Sequence, residues 1–419
     1  MKKDSLKVCL LNDSFPPTID GVANTVVNYA NIINEKHGTP VVVTPKYPKI
    51  KDDYPYPVIR YPSLRTQKFL GYRAGYPFSN YAFHRVQKEN IDIIHSHCPF
   101  ISTMIARSLQ RICNVPLVFT YHTKFDVDIR KLVSSRLIQD SAIKVIVDNI
   151  HACDEVWVVS EGAGQNLRSL GYKGDYIIMD NGVDFPKGKA SDQAMGIVSK
   201  KYNLRNDVPK FFFAGRMRWT KGIDIILKAL KRVKDLGYDF QMIFAGDGLD
   251  FLEIKRLAES LGVMDKCVFC GGIVDREELR ALFSACDLFL FPSVYDTNGL
   301  VVREAAACAI PSVLIEGSCA AEGIADMETG FIIENTVESM AAKLETLIKN
   351  PHYMRGVGEN AQNHIYLSWN DAVLRATDRY RNLIDNYKPK TFKHTHVASD
   401  KFYNVVNHMY DIRSTFYKD

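Results

Sequence analysis

The sequence predicts an α/β protein built from two successive, doubly wound, parallel-sheet units. Short strand-like apolar runs alternate with helix-like stretches from end to end, which is the pattern of parallel α/β layers. That alternation lapses into a polar, mixed stretch over residues 185–207 and starts afresh at Lys210-Phe-Phe-Phe-Ala-Gly215. The chain of 419 residues is also too long for one ordinary core and suits two.

The first unit opens with an apolar run, Lys7-Val-Cys-Leu-Leu-Asn12, that ends in a polar loop. Residues 20–33 follow with helical apolar spacing at Val22, Val26, Tyr29 and Ile33. Strands are expected over 40–44, 91–95, 116–120 and 155–160, with a short run over 177–179. Helices are expected over 81–89, 101–111 and 137–151. In the second unit strands are expected over 211–214, 241–245, 266–270, 288–291 and 312–315, with helices between them. The expected division is 1–190, 200–370 and a helical extension over 371–419, which would pack back across the first domain. Both units are thus Rossmann-like. Ligands of such sheets bind outside the carboxyl ends of the strands, so a cleft between the domains is the expected site.

Composition narrows the class. Hydrophobic content of 46% and charged content of 24% are those of a globular protein. No apolar run reaches the roughly 18–20 residues of a membrane span. The basic start Met1-Lys-Lys is followed by only a brief apolar run that Asp13 closes, so a first buried strand is expected rather than a signal peptide. Nine scattered cysteines read as reduced thiols of a cytosolic protein, and the lone Cys267/Cys270 pair lacks the second pair a metal site needs. The net charge of +5 lies mainly in residues 1–190, with roughly 24 basic against 18 acidic side chains. That excess suits an anionic substrate or membrane surface and is too weak for nucleic acid.

Two segments carry chemistry. Ser293–Pro311 places Asp296 and Glu304 around the turn Asn298-Gly299-Leu300, just before an alanine-rich helix that a proline ends. Carboxylates accept hydrogen bonds from sugar hydroxyls, and helix-start N–H groups attract anions, so a polyhydroxylated, phosphate-bearing ligand fits. In Phe213-Ala-Gly-Arg-Met-Arg-Trp-Thr-Lys-Gly-Ile-Asp224 a strand ends at Gly215, and Arg216 and Lys221 flank a helix start. Two cations beside a helix N-terminus suit a diphosphate.

Together with the turn Ala245-Gly-Asp-Gly248, and with Phe119-Thr-Tyr-His-Thr123, Asp92-Ile-Ile-His-Ser-His97 and Asn181-Gly-Val-Asp184 in the first half, these segments resemble the retaining glycosyltransferases of family 4, which have the GT-B fold of two facing Rossmann-like domains. The resemblance spans about residues 6–370 in the family's order. It implies that Arg216 and Lys221 hold the donor diphosphate and that Glu304 accepts from the nucleotide ribose. It also implies that Asp296 faces the donor sugar, and that backbone N–H groups of Asn298, Gly299 and Leu300 bind sugar or phosphate. Gly215 would belong to the same donor site, Gly21 would let the first loop approach the diphosphate, and His122 would lie beside the sugar. Asp296 stands where the family usually has Glu, Asn298 where Phe is frequent, Ala309 where Gly is frequent, and Asp20 replaces the first glycine of a common pair.

The expected reaction moves a hexosyl group from a nucleotide-diphospho-sugar, UDP-glucose in type or GDP-mannose, to a hydroxyl of a membrane lipid such as diacylglycerol. The resemblance is nearest to lipid-glycosylating members. A saccharide or small-molecule acceptor, and a sugar-nucleotide epimerase of the same fold, are the alternatives. A two-carboxylate glycosidase is disfavoured because Arg216 and Lys221 point to a phosphate leaving group. A dinucleotide oxidoreductase lacks its glycine fingerprint after the first strand. No cofactor is expected to be required, and Mg²⁺ is expected at most to stimulate. Basic and aromatic residues near 60–77 and 125–151 fit either a helix whose apolar face packs into the core or a surface that sits on an anionic bilayer; the expected location is cytoplasmic, and the second arrangement would make the protein peripheral at the inner membrane face. His95 and His97, at a strand end, read as hydrogen-bonded structural residues.

Overall fold

The computed structural model describes residues 5–18, 20–66, 73–390 and 403. The chain divides into two compact units, residues 1–180 with 369–419, and Asn181–Ser368.

The first unit contains β1 (Leu6–Leu11), α1 (Gly21–Ile32), β2 (Gly38–Pro45), β3 (Val58–Tyr61) and a small antiparallel pair, β4 (Ser63–Leu64) and β5 (Ala74–Gly75). It continues with α2 (Asn80–Lys88), β6 (Ile93–Ser96), α3 (Ile101–Cys113), β7 (Leu117–Tyr121), α4 (Phe125–Leu132), α5 (Arg136–His151), β8 (Glu155–Val158), α6 (Glu161–Ser169) and β9 (Ile177–Ile178). Its sheet runs β3-β2-β1-β6-β7-β8-β9, parallel throughout. The strand order reverses between β1 and β6, so the loops that leave these two strands diverge and open a crevice at their carboxyl ends.

The second unit contains α7 (Asp192–Lys201), β10 (Lys210–Ala214), α8 (Ile223–Asp235), β11 (Gln241–Ala245), α9 (Phe251–Ser260), β12 (Cys267–Gly271), α10 (Arg276–Ala285), β13 (Leu288–Phe291), α11 (Leu300–Ala307), β14 (Ser312–Ile315), β15 (Phe331–Ile333), α12 (Val337–Ile348) and α13 (Pro351–His364). Its parallel sheet runs β12-β11-β10-β13-β14-β15 and reverses between β10 and β13. Phe211, Phe212, Phe213, Phe244, Phe289 and Phe291 lie in this core. A strand covered on both faces has no polar side to alternate with, which is why Phe211-Phe-Phe reads as a continuous run.

Three local features depart from expectation. The polar stretch 185–207 is not a bare linker: it carries α7, capped by Ser191, with Val198 buried in the second core. The change of unit falls between Asp180 and Asn181, because Phe185 and Ala190 also pack into that core. Strands β3 and β15 were not expected. Each is short, and β3 follows two prolines, so its apolar signal is brief.

The last described helix, α14 (Trp369–Asn386), belongs to the first unit. Its Arg379 meets Glu155 of β8 at 2.6 Å, and its Trp369 packs edge-on against Tyr29 of α1. Residues 391–402 and 404–419 of the expected extension lie outside the described residues. No helix among the described residues is long and apolar enough to cross a membrane.

Candidate active site

The chemistry-bearing residues of the second unit cluster where its sheet reverses. Gly215 and Arg216 leave the carboxyl end of β10; Ser293 to Asn298 leave β13, the strand beside it. Backbone geometry explains the glycines. Gly222 opens α8 in the left-handed region at φ +71°, and a Cβ there would meet the Pro292 carbonyl oxygen at 2.2 Å. Gly299 opens α11 at φ +59°, with Ala320 Cα 2.9 Å from where a Cβ would sit. Several helices elsewhere are capped by their own side chains, among them Ser79, Ser160 and Thr336. Helices α8 and α11 carry no side-chain cap, so their first N–H groups keep their capacity for an anion.

Lys221 and Asp296 meet directly. Lys221 Nζ donates to both carboxylate oxygens of Asp296 at 2.7 and 2.8 Å, and Ser293 Oγ donates to Asp296 Oδ2 at 2.6 Å. Lys221 also lies 5.5 Å over the Phe291 ring. Arg216, one residue beyond Gly215, is exposed and has no partner among the described residues. Asn298 Nδ2 is buried without a hydrogen-bond partner.

Glu304 lies in the second turn of α11 and is only 8% exposed. Burial pushes its carboxyl up, and the nearby Arg276 guanidinium pulls it back. Arg276 Nη2 donates to Glu304 Oε1 at 2.5 Å, approaches Asp184 at 3.8 Å and covers the Phe185 ring at 4.5 Å. Arg276, Ser293 and the role of Asp184 were not anticipated. Asn181-Gly-Val-Asp184 stood out as a motif, but only folding brings it beside α10.

The other site residues lie in the first unit. Gly21 starts α1, whose cap is Asp20: its carboxylate accepts from Ala23 N at 2.7 Å. Asp20, standing where a glycine is common, thus does helix-capping work. A Cβ at Gly21 would meet nothing within 4 Å, so packing does not demand glycine there. His122 follows β7 and is 8% exposed; its Nε2 lies 3.0 Å from His97 Nδ1. Burial takes the His122 imidazole down to about 3. Asp13 was also missed: it is buried and accepts from Ile101 N and from the Ser102 N and Oγ, closing the start of α3.

Part of the basic surface is spent internally. Arg60 binds Asp52 at 2.6 Å and the Pro16 carbonyl, while Arg73 is buried and bonds Ser63. Lys68, Phe69, Leu70 and Tyr72 lie outside the described residues. On α5, Leu137, Ile138 and Val145 are exposed beside exposed Arg136 and Lys144.

Residues 19–186 match the family described as Glycosyltransferase Family 4, and residues 196–364 match Glycosyl transferases group 1. An alpha-monoglucosyldiacylglycerol synthase of Streptococcus pneumoniae is 24% identical over 351 residues, covering 83% of this chain and 79% of that protein. A D-inositol 3-phosphate glycosyltransferase of an Arthrobacter species is 27% identical over 318 residues, covering 71% and 72%. The crystal structure of Anabaena Alr3699/HepE in complex with UDP superposes with a TM-score of 0.73 at 18% identity, over 90% of this chain and all of that one. Two family matches in the expected order, on two parallel α/β units with this strand order, lead to one conclusion: the chain is a glycosyltransferase of family 4 with the GT-B fold.

Proposed function

We propose that the chain transfers a hexosyl group, with retention, from a nucleotide-diphospho-sugar to a hydroxyl of a membrane lipid. UDP-glucose is the favoured donor type, GDP-mannose the alternative, and diacylglycerol the model acceptor. The observation that carries the reading is the convergence of Lys221, Arg216 and two uncapped helix starts at the β10/β13 reversal, with Asp296 and Glu304 beside them. Positive charge and N–H groups suit a diphosphate; the carboxylates suit sugar and ribose hydroxyls.

In this reading the bond between the anomeric carbon and the phosphate oxygen breaks, and its electron pair stays on the diphosphate. Lys221, Arg216 and the α11 N–H groups stabilise the growing negative charge. The acceptor oxygen bonds to the anomeric carbon from the face the phosphate leaves, and its proton passes to the departing phosphate oxygen. Asp296 orients the sugar, and Glu304 the ribose. Gly215 and Gly21 let backbone approach the diphosphate, and His122 contacts the sugar. Because side chains supply the countercharge, Mg²⁺ stimulates at most, and turnover in EDTA tests this.

The lipid acceptor draws support from the activity for which the Streptococcus relative is named and from the exposed apolar and basic face of α5. That face suits peripheral contact with an anionic bilayer from the cytoplasmic side. The Arthrobacter relative favours a soluble, small-molecule acceptor as the second reading. The test is a panel of UDP-, GDP- and ADP-sugars, scored by donor hydrolysis and thermal protection, followed by diacylglycerol vesicles, inositol phosphates or oligosaccharides. Transfer only to soluble acceptors, with no flotation on anionic liposomes at low salt, would remove the lipid reading.

A further inference from the structure

The first unit holds a column of aromatic and imidazole rings behind His122. His95 lies in β6, His97 follows it, and His122 follows the neighbouring β7. The His95 and His97 ring centroids are 3.9 Å apart, and the His97 and His122 rings stack at 5.2 Å. Tyr29 of α1 closes edge-on over His97 at 5.4 Å. His95 is held at both nitrogens: Nε2 by Thr120 Oγ1 at 2.6 Å and Nδ1 by the Tyr380 hydroxyl of α14. The Tyr380 ring in turn stacks on Trp157 at 5.3 Å.

His97 is 2% exposed, and its Nε2 has no hydrogen-bond partner. Its other nitrogen, Nδ1, faces His122 Nε2 at 3.0 Å. Burial first, then the His95 and His122 rings, holds His97 well below the ordinary histidine range, so the ring is neutral and carries one proton. A proton on Nε2 would leave a buried N–H with nothing to accept it, a costlier orphan than a buried lone pair.

We infer that His97 is the positioning residue of His122: it donates from Nδ1 to His122 Nε2, so that neutral His122 keeps its own proton on Nδ1 with its ring plane fixed. The inference rests on the reading of His122 as the imidazole beside the donor sugar. Two positions that read as structural histidines thereby acquire a role in the reaction, and α14 contributes through Tyr380, which fastens the far end of the column. The logic is that of any buried group that sets an imidazole's tautomer and orientation without touching substrate.

Two measurements test it on the full chain. The first is a long-range proton–nitrogen NMR spectrum of protein labelled with ¹⁵N-histidine, with the signals assigned through His97→Asn and His122→Asn. Nδ1–H tautomers at both positions are expected; an Nε2–H tautomer at His122 overturns the inference. The second is turnover of UDP-glucose and GDP-mannose beside thermal protection by UDP and GDP. An asparagine amide can reach the place of Nδ1, whereas a glutamine amide falls near Nε2. His97→Ala and His97→Gln should therefore lower kcat about tenfold or more with nucleotide protection intact, and His97→Asn should recover most of the loss. Equal kcat in all three variants, with matched circular dichroism, overturns the inference while the donor reading stands. No protection and no turnover by the unsubstituted protein with either donor defeats the donor reading instead, and the NMR result still decides the tautomer.

Discussion

At the scale of single residues, the second unit pairs the proposed ligand groups Lys221, Asp296 and Glu304, though not Arg216, with an opposite charge. Lys221 is matched by Asp296, and Glu304 by Arg276. A diphosphate entering here competes with a carboxylate for Lys221, and a ribose competes with a guanidinium for Glu304. Truncating either side chain should therefore cost turnover far more than folding. Lys221→Ala and Glu304→Ala are expected to lower kcat/KM by about 10²–10³-fold or more with circular dichroism unchanged; normal rates in both would remove these residues from the mechanism. Arg276→Ala has a different signature. It strands a buried carboxylate, so the melting temperature should fall, by the equivalent of about 1–3 kcal/mol. Adding Glu304→Gln to that variant should restore much of the melting temperature without restoring turnover, and a calorimetric comparison of the two proteins decides it.

At the scale of elements, the turn from β10 into α8 is built against the strand end that carries Asp296. Gly222 is left-handed, and its missing Cβ leaves room for the Pro292 carbonyl, just ahead of Ser293 and Asp296. Alanine at 222 must adopt an unfavourable backbone region, at about 1–2 kcal/mol, and also push on Pro292. Gly262 offers a control: it too is left-handed, at φ +67°, but a Cβ there would meet nothing within 4 Å. Gly222→Ala should lower both melting temperature and turnover, and Gly262→Ala only the melting temperature. Equal turnover in the two variants would show that the contact with Pro292 does not position Asp296.

At the scale of the whole molecule, the buried histidines make stability depend on pH. His95, His97 and His122 are all held below the ordinary histidine range, by burial first. The unfolded chain therefore takes up protons below about 6.5 while the folded chain does not. Stability is present above that pH and is lost as pH falls, by about 1.4 kcal/mol per pH unit for each histidine at most. Asp13, raised by burial, acts in the opposite sense, but as one group against three. Calorimetry from pH 7.5 to 5.0 should show the transition of the first unit moving to lower temperature. A transition that does not move over this range would mean that the three imidazoles are not buried together. The two sheets themselves were largely legible, because buried parallel strands read as unbroken apolar runs such as Phe211-Phe-Phe. The edge strands β3 and β15 were not, because two or three apolar residues beside prolines or turns resemble any loop.

Most of the order of strands and helices, the two-unit plan and the family motifs follow from the sequence alone, since periodicity and local glycine chemistry are short-range properties. The contacts of Glu304 with Arg276, of Asp296 with Ser293 and Lys221, and of His97 with His122 and Tyr29 were decided only by tertiary structure. In most of these pairs the partners stand tens of residues apart, and even Ser293 and Asp296 meet through the path of a loop. Nothing local to either member records which neighbour a sheet reversal will place beside it. Burial has the same origin: a histidine's sequence neighbours do not tell whether its ring will face water or three other rings.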